Sequence, residues 1–172
     1  MEKTLNISGK PVKFASTAGT LRRYRHKFHR DLMVDAQKLV KASQIGEMDV
    51  DTLEVFEALA YTMAKQGDPT IPDDPDEWLD QFDTFSVYEV MPELIALWVG
   101  SVAPIEESKK KQRATERGLT TALFLLRSVK LGLSMSDLDR LDVGMILDMF
   151  VEQANDSYEY PELATADDVA KW

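Results

Sequence analysis

The residues best equipped for chemistry lie in one stretch, Arg22-Arg23-Tyr24-Arg25-His26-Lys27-Phe28-His29-Arg30. His26 and His29 are the only histidines, and their i, i+3 spacing on a helix would turn both imidazoles one way, as two metal ligands require. Arg25, Lys27 and Arg30 surround them and oppose a bound cation, so titrating members of a basic face are the expectation. The same stretch interleaves bases with aromatics, which is the pattern of a nucleic-acid contact. Tyr24 and Phe28, however, share a helical stripe with Leu21 and Leu32 and read as core rather than as stacking platforms. A chain of net charge −10 also repels a phosphate backbone. A small helical DNA-binding or regulatory protein using residues 21–30 is therefore the alternative reading.

Other chemistries find little to work with. The absence of cysteine removes disulfides, thiol catalysis and cysteine-ligated metals. Asp73-Asp74-Pro75-Asp76 lacks the order of acids and the central glycine of a calcium loop, and reads as loop acids that cap a helix. There is no phosphate-binding glycine loop, no G-x-S-x-G and no H-E-x-x-H. The sequence thus predicts a non-enzyme with no catalytic, metal or cofactor-binding residues. Glu107-Ser108-Lys109-Lys110-Lys111-Gln112 sets three lysines in an acidic chain, where Glu106–Lys110 and Glu107–Lys111 pairs would make an ordinary solvated helix face.

The elements that must position these residues are mostly helical. Leu5 and Ile7, then Val12 and Phe14, alternate with polar neighbours about Ser8-Gly9-Lys10, which predicts a short hairpin over residues 4–15. The stripe Leu21, Tyr24, Phe28, Leu32, Ala36, Leu39 predicts one helix over residues 17–43. Asp49 or Asp51 caps a second helix to residue 66, carrying Leu53, Phe56, Ala60 and Met63. Residues 67–75 are the best internal linker candidate. A short helix follows over 76–82. A capping box at Ser86 and Glu89 opens a helix to 102, with a kink or late start at Pro92. A helix over 105–131 carries Leu119, Leu123, Leu126 and Val129 on its apolar face, Ser136 caps a helix to about 154, and Thr165 caps a small terminal one. The expected fold is mainly α: a compact helical domain of about five to seven helices with a short N-terminal β-hairpin.

Charge is unevenly spread. Residues 1–30 hold eight Lys/Arg against one acid, and residues 135–172 hold two against ten, so complementarity within the molecule or between copies is expected. The N-terminus lacks the apolar core of a signal peptide, and the longest apolar run is too short to span a bilayer. Both point to a soluble intracellular protein.

Three segments in order, NISGKPVKF with the basic-aromatic helix, SVYEVMPELIALW, and DVGMILDMFVEQAND…LATADDVAKW, resemble the tail assembly chaperones of long-tailed (siphovirus-type) phages and prophages of Gram-positive bacteria. The resemblance spans essentially the whole chain. It implies a protein of the host bacterial cytoplasm that binds the tape measure protein, keeps it soluble, recruits major tail (tube) protein subunits, and is absent from the mature virion. It implies a chaperone body over 1–112 and a helical C-terminal extension over 113–172, packed on or appended to the body. It also implies a frameshift junction, for which Lys109, Lys110 and Lys111 are the candidates. The candidate interaction surface is Arg22, Arg23, Arg25, Lys27 and Arg30 with Met145, Met149, Val169 and Trp172. Basic head and acidic tail would allow a homo-oligomer or open spiral.

Overall fold

The computed structural model describes residues 1–83, 86–102 and 118–154. Strands β1 (Glu2–Ile7) and β2 (Lys10–Ala15) form the hairpin, with Leu5 opposite Val12 and Ile7 opposite Lys10. Ser8 and Gly9 both take positive φ, as a two-residue primed turn requires. One face of the ribbon carries Ile7 and Phe14 into the core, and Pro11 stays exposed.

The ribbon lies on helix α3 (Val50–Gly67), which Asp49 caps by accepting from the Thr52 backbone N–H. At the end of α3, Gly67 lets β2 cross the helix. A Cβ on Gly67 would stand 2.3 Å from the Lys13 carbonyl oxygen. The stretch after it is strapped down rather than serving as a linker. Lys65 Nζ donates to the Pro69 and Ile71 carbonyls, and Tyr61 Oη donates to those of Pro72 and Asp73.

The expected helix over 17–43 is two: α1 (Ala18–Phe28) and α2 (Leu32–Ile45). His29 ends α1 in the left-handed region at φ 56, and Asp31 caps α2. The apolar stripe runs on through the break because Phe28 and Leu32 are four residues apart, so periodicity could not reveal it. Helix α4 (Pro75–Leu79) is capped by Asp74 and buries Trp78. The helix expected from Ser86 divides into α5 (Ser86–Glu89) and α6 (Met91–Val102), with Pro92 at the second position of α6. Ser86 is the first residue of α5 rather than its cap, and its hydroxyl accepts from Ser8 Oγ.

Beyond the undescribed stretch lie α7 (Thr121–Lys130), α8 (Met135–Leu138) and α9 (Val143–Ala154). Thr120 caps α7, so this helix begins at Thr121 and does not run on from 105. Ser134, not Ser136, caps α8 in a reciprocal box with Asp137. The chain is mainly α with one N-terminal hairpin, and three of the expected helices are each broken in two.

Helices α7 to α9 share the core of the rest. Phe124, Leu138, Val143 and Ile146 are buried in the same cluster as Leu21, Tyr24, Leu59 and Leu94. Helix α9 packs on α6 and α8 on α1, and the Ala18 N–H donates to the Leu141 carbonyl. The expected boundary at 112, the Lys109-Lys110-Lys111 junction, the expected Thr165 helix, and Val169 and Trp172 all lie outside the described residues.

Candidate interaction surface

The basic residues of the 22–30 stretch face acids of their own chain. Arg22 and Arg23 reach Asp139 at 3.5 and 3.2 Å, and Arg25 reaches Asp31 at 3.7 Å. Arg30 binds Asp35 at 2.7 Å and Asp51 at 2.9 Å. Lys27 donates to the Asp73 carbonyl at 2.6 Å and lies over the Tyr61 ring. Among the described residues, these bases meet Asp139 of the acidic end and Asp31, Asp35 and Asp51 of the middle of the chain. The exposed pairs each contribute at most about 1 kcal/mol.

Two of these contacts are built more deeply. Gly19 makes room for Asp139, since a Cβ there would come 2.0 Å from Asp139 Oδ1. Arg22 Nε and Asp139 Oδ1 are buried without a hydrogen bond, and Arg23 approaches Oδ1 at 3.2 Å as an ion pair only. Asp35 is buried and accepts from Tyr24 Oη at 3.0 Å as well as from Arg30. Tyr24 is thus core, as its stripe position predicts.

Burial, and then the charge of Asp35, hold the Tyr24 hydroxyl well above the usual tyrosine range. Burial, and then hydrogen bonding to the Glu57 carboxylate, push Tyr88 up to about 12. Burial and Asp73 raise Tyr61 as well. Below pH 10 these groups are protonated in both folded and unfolded chains, and their contribution is complete. Above it the unfolded chain loses its protons first, so stability falls as pH rises toward the folded values. Urea midpoints are expected to drop between about pH 10 and about pH 12, and Tyr88→Phe should flatten that drop. A midpoint constant across this window in both proteins would contradict the assignment.

His26 and His29 are both exposed, and the left-handed turn at His29 breaks the helical i, i+3 geometry that a ligand pair would need. Among the described residues no group of three or more His, Cys, Asp or Glu is arranged to hold a metal. Among them, too, no helix is long and apolar enough to cross a membrane.

Helix α7 departs most from expectation. Its buried residues are Thr121, Phe124 and Ser128, whereas Leu126 and Val129 are 53% and 52% exposed. The hydroxyls can be buried because they are bonded: Ser128 Oγ donates to the Phe124 carbonyl, and Thr121 Oγ1 to Asp31. At 100° per residue, Ala122, Leu126 and Val129 fall on one outward face, opposite Phe124. Leu119 and Leu123, which the sequence assigned to the same buried face, are only half-buried. On α9, Met145 is 40% exposed and Met149 half-buried. The clue in the sequence is the T-x-x-F-x-x-x-S spacing, a coherent inner face that hydrophobicity alone passes over.

Because Leu126 is exposed, Leu126→Glu is expected to leave the urea midpoint nearly unchanged, within about 0.5 kcal/mol. A cooperative loss of several times that amount would show that the outward face is packed in solution.

No protein-family model, curated protein or solved structure matches this chain.

Proposed function

We propose that the protein is a non-enzymatic tail assembly chaperone of a long-tailed phage or prophage, acting in the host bacterial cytoplasm. It binds the tape measure protein, holds it soluble and recruits tail tube subunits, and it does not remain in the virion. The family resemblance of the three sequence segments supplies this reading. The structural observation that supports it best is the outward apolar face of α7, where Leu126 and Val129 stand exposed on a helix whose core side is Thr121, Phe124 and Ser128. Exposed apolar residues at helical spacing suit a partner that presents an amphipathic helix, and a tape measure protein is a long helical client of that kind. Met145 on α9 is a further adaptable apolar contact.

Co-expression with the neighbouring long helical open reading frame tests the reading. The client is expected to move from the pellet to the soluble fraction, and unchanged aggregation would count against the proposal. At the nucleotide level, the junction at Lys109, Lys110 and Lys111 requires a slippery heptamer there and a stop soon after in the original frame; their absence removes it.

The DNA-binding alternative starts with most of its bases engaged, since Arg22, Arg23, Arg25 and Arg30 all pair with carboxylates of the same chain. A gel shift with salt titration discriminates: retardation of DNA that weakens steeply with salt would favour the alternative.

A further inference from the structure

The hairpin has two outer edges, and α3 closes only one of them. In its register Ile7 lies opposite Lys10, Leu5 opposite Val12 and Lys3 opposite Phe14. With a two-residue turn at Ser8 and Gly9, these are the pairs that exchange backbone hydrogen bonds. The Ser16 N–H to Met1 carbonyl bond, at 2.8 Å, continues the same alternation. The backbone groups of Glu2, Thr4 and Asn6 on β1, and of Pro11, Lys13 and Ala15 on β2, therefore point outward. On β2 that edge is shut, because Pro11 has no N–H and the Lys13 carbonyl abuts Gly67 of α3. On β1 it is open. Glu2, Thr4 and Asn6 are all exposed, and among the described residues no group bonds to their backbone on that side.

Strand β1 carries no proline, glycine or bulge to blunt this edge. Its turn is fastened: Ser8 Oγ accepts from the Asp83 N–H at 3.0 Å and donates to Ser86 Oγ at 2.8 Å, and Lys10 Nζ donates to the Gln81 carbonyl at 2.8 Å. A fixed edge loses little freedom when a strand is added to it. Its side chains select the strand. Antiparallel pairing with β1 of a second copy, centred on Thr4, sets Thr4 against Thr4, Glu2 against Asn6 and Lys3 against Leu5, so no like charges oppose one another. In that register Glu2, Thr4 and Asn6 all bond across the edge. Centred on Lys3, two lysines would face each other; centred on Leu5, Glu2 would run past the strand to the turn. We infer that two copies of the chain join edge to edge along β1, about a two-fold axis at Thr4. The contact is isologous, and with the β2 edges shut it closes at a dimer. An edge of 6 residues falls short of the roughly 20–30 a side of a standard interface, so the dimer is weak and forms at high concentration. The inference does not rest on the chaperone reading.

Sedimentation of the full-length chain at rising concentration is expected to show a reversible monomer–dimer equilibrium. Amide exchange at Thr4 and Asn6 should slow as the dimer forms, while that at Lys41 on α2 does not change with concentration. Thr4→Pro removes an outward N–H and no bond inside the ribbon, and should weaken the dimer by about tenfold or more. Should proline disturb β1 itself, charge at the register position still decides. Asn6→Lys sets opposite charges against each Glu2 and Asn6→Glu sets like charges there, so their dimer constants should differ by roughly tenfold, with Asn6→Lys the tighter. A chain that stays monomeric at the highest concentration would overturn the inference. So would a dimer whose constant is the same in both Asn6 variants. Protection of Thr4 and Asn6 that appears only when the tape measure candidate is added would also overturn it, by assigning the edge to a strand of another protein.

Discussion

Gly67→Ala is expected to destabilise the fold by about 3 kcal/mol or more, although alanine is the better helix former. In an open helix the change would gain up to about 1 kcal/mol from propensity. Here the added methyl would meet the Lys13 carbonyl oxygen at 2.3 Å, its carbon at 2.7 Å and the Phe14 nitrogen at 3.1 Å. All three are backbone atoms, so no side-chain rotation relieves the clash. Either β2 lifts from α3, carrying buried Phe14 with it, or the last turn of α3 unwinds. Urea unfolding followed by circular dichroism checks this, with Gly118→Ala as control because a Cβ there meets nothing within 4 Å. Equal midpoints for the two variants would show that the hairpin does not sit on α3 in this way.

Asp31→Ala carries the second large effect, about 3 kcal/mol, from one carboxylate that starts two helices. Its Oδ1 caps α2 through the Met33 N–H at 3.1 Å. Both of its oxygens accept from the Thr121 N–H, at 3.1 and 3.0 Å, and Oδ1 also takes the Thr121 hydroxyl at 2.8 Å. Loss of an N-cap costs about 1 kcal/mol. Thr121 is fully buried, so stranding its donors adds about 1–3 kcal/mol. Arg25 at 3.7 Å is half exposed and adds little. Hydrogen exchange is the informative readout, because the loss should fall first on α7 while α3 stays protected. Uniform loss of protection would mean that Asp31 holds the whole fold rather than this junction.

These two residues also mark what could be read from the sequence. The hairpin was legible because Leu5, Ile7, Val12 and Phe14 alternate, and α3 because Asp49 precedes a clean apolar stripe. Both are local signals. Gly67 reads as the start of a loop, since nothing nearby in sequence reports that β2 crosses it. Asp31 sits inside an unbroken stripe that hides its cap on α2, and its second role shows only once Thr121 is seen ninety residues away.

The candidate surface divided in the same way. The bases at 22, 23, 25, 27 and 30 were legible as a cluster, but their partners Asp139, Asp73 and Asp51 come from distant turns. Leu126 and Val129 read as inward in the sequence because apolar residues usually face a core, whereas bonded hydroxyls fill the inner face of α7. The strapped loop after Gly67 looked like a linker from its composition and is held by carbonyl contacts, which composition does not encode.

Whether the outward face of α7 receives a client helix is decided by co-purification of the tape measure candidate with the wild-type chain and with Leu126→Glu/Val129→Glu. The wild type is expected to retain the client, while the doubly substituted chain, still folded by circular dichroism, loses it by at least tenfold. That loss corresponds to about 1.4 kcal/mol, the cost of setting two charges against an apolar partner. Equal retention of the client by both proteins would contradict it.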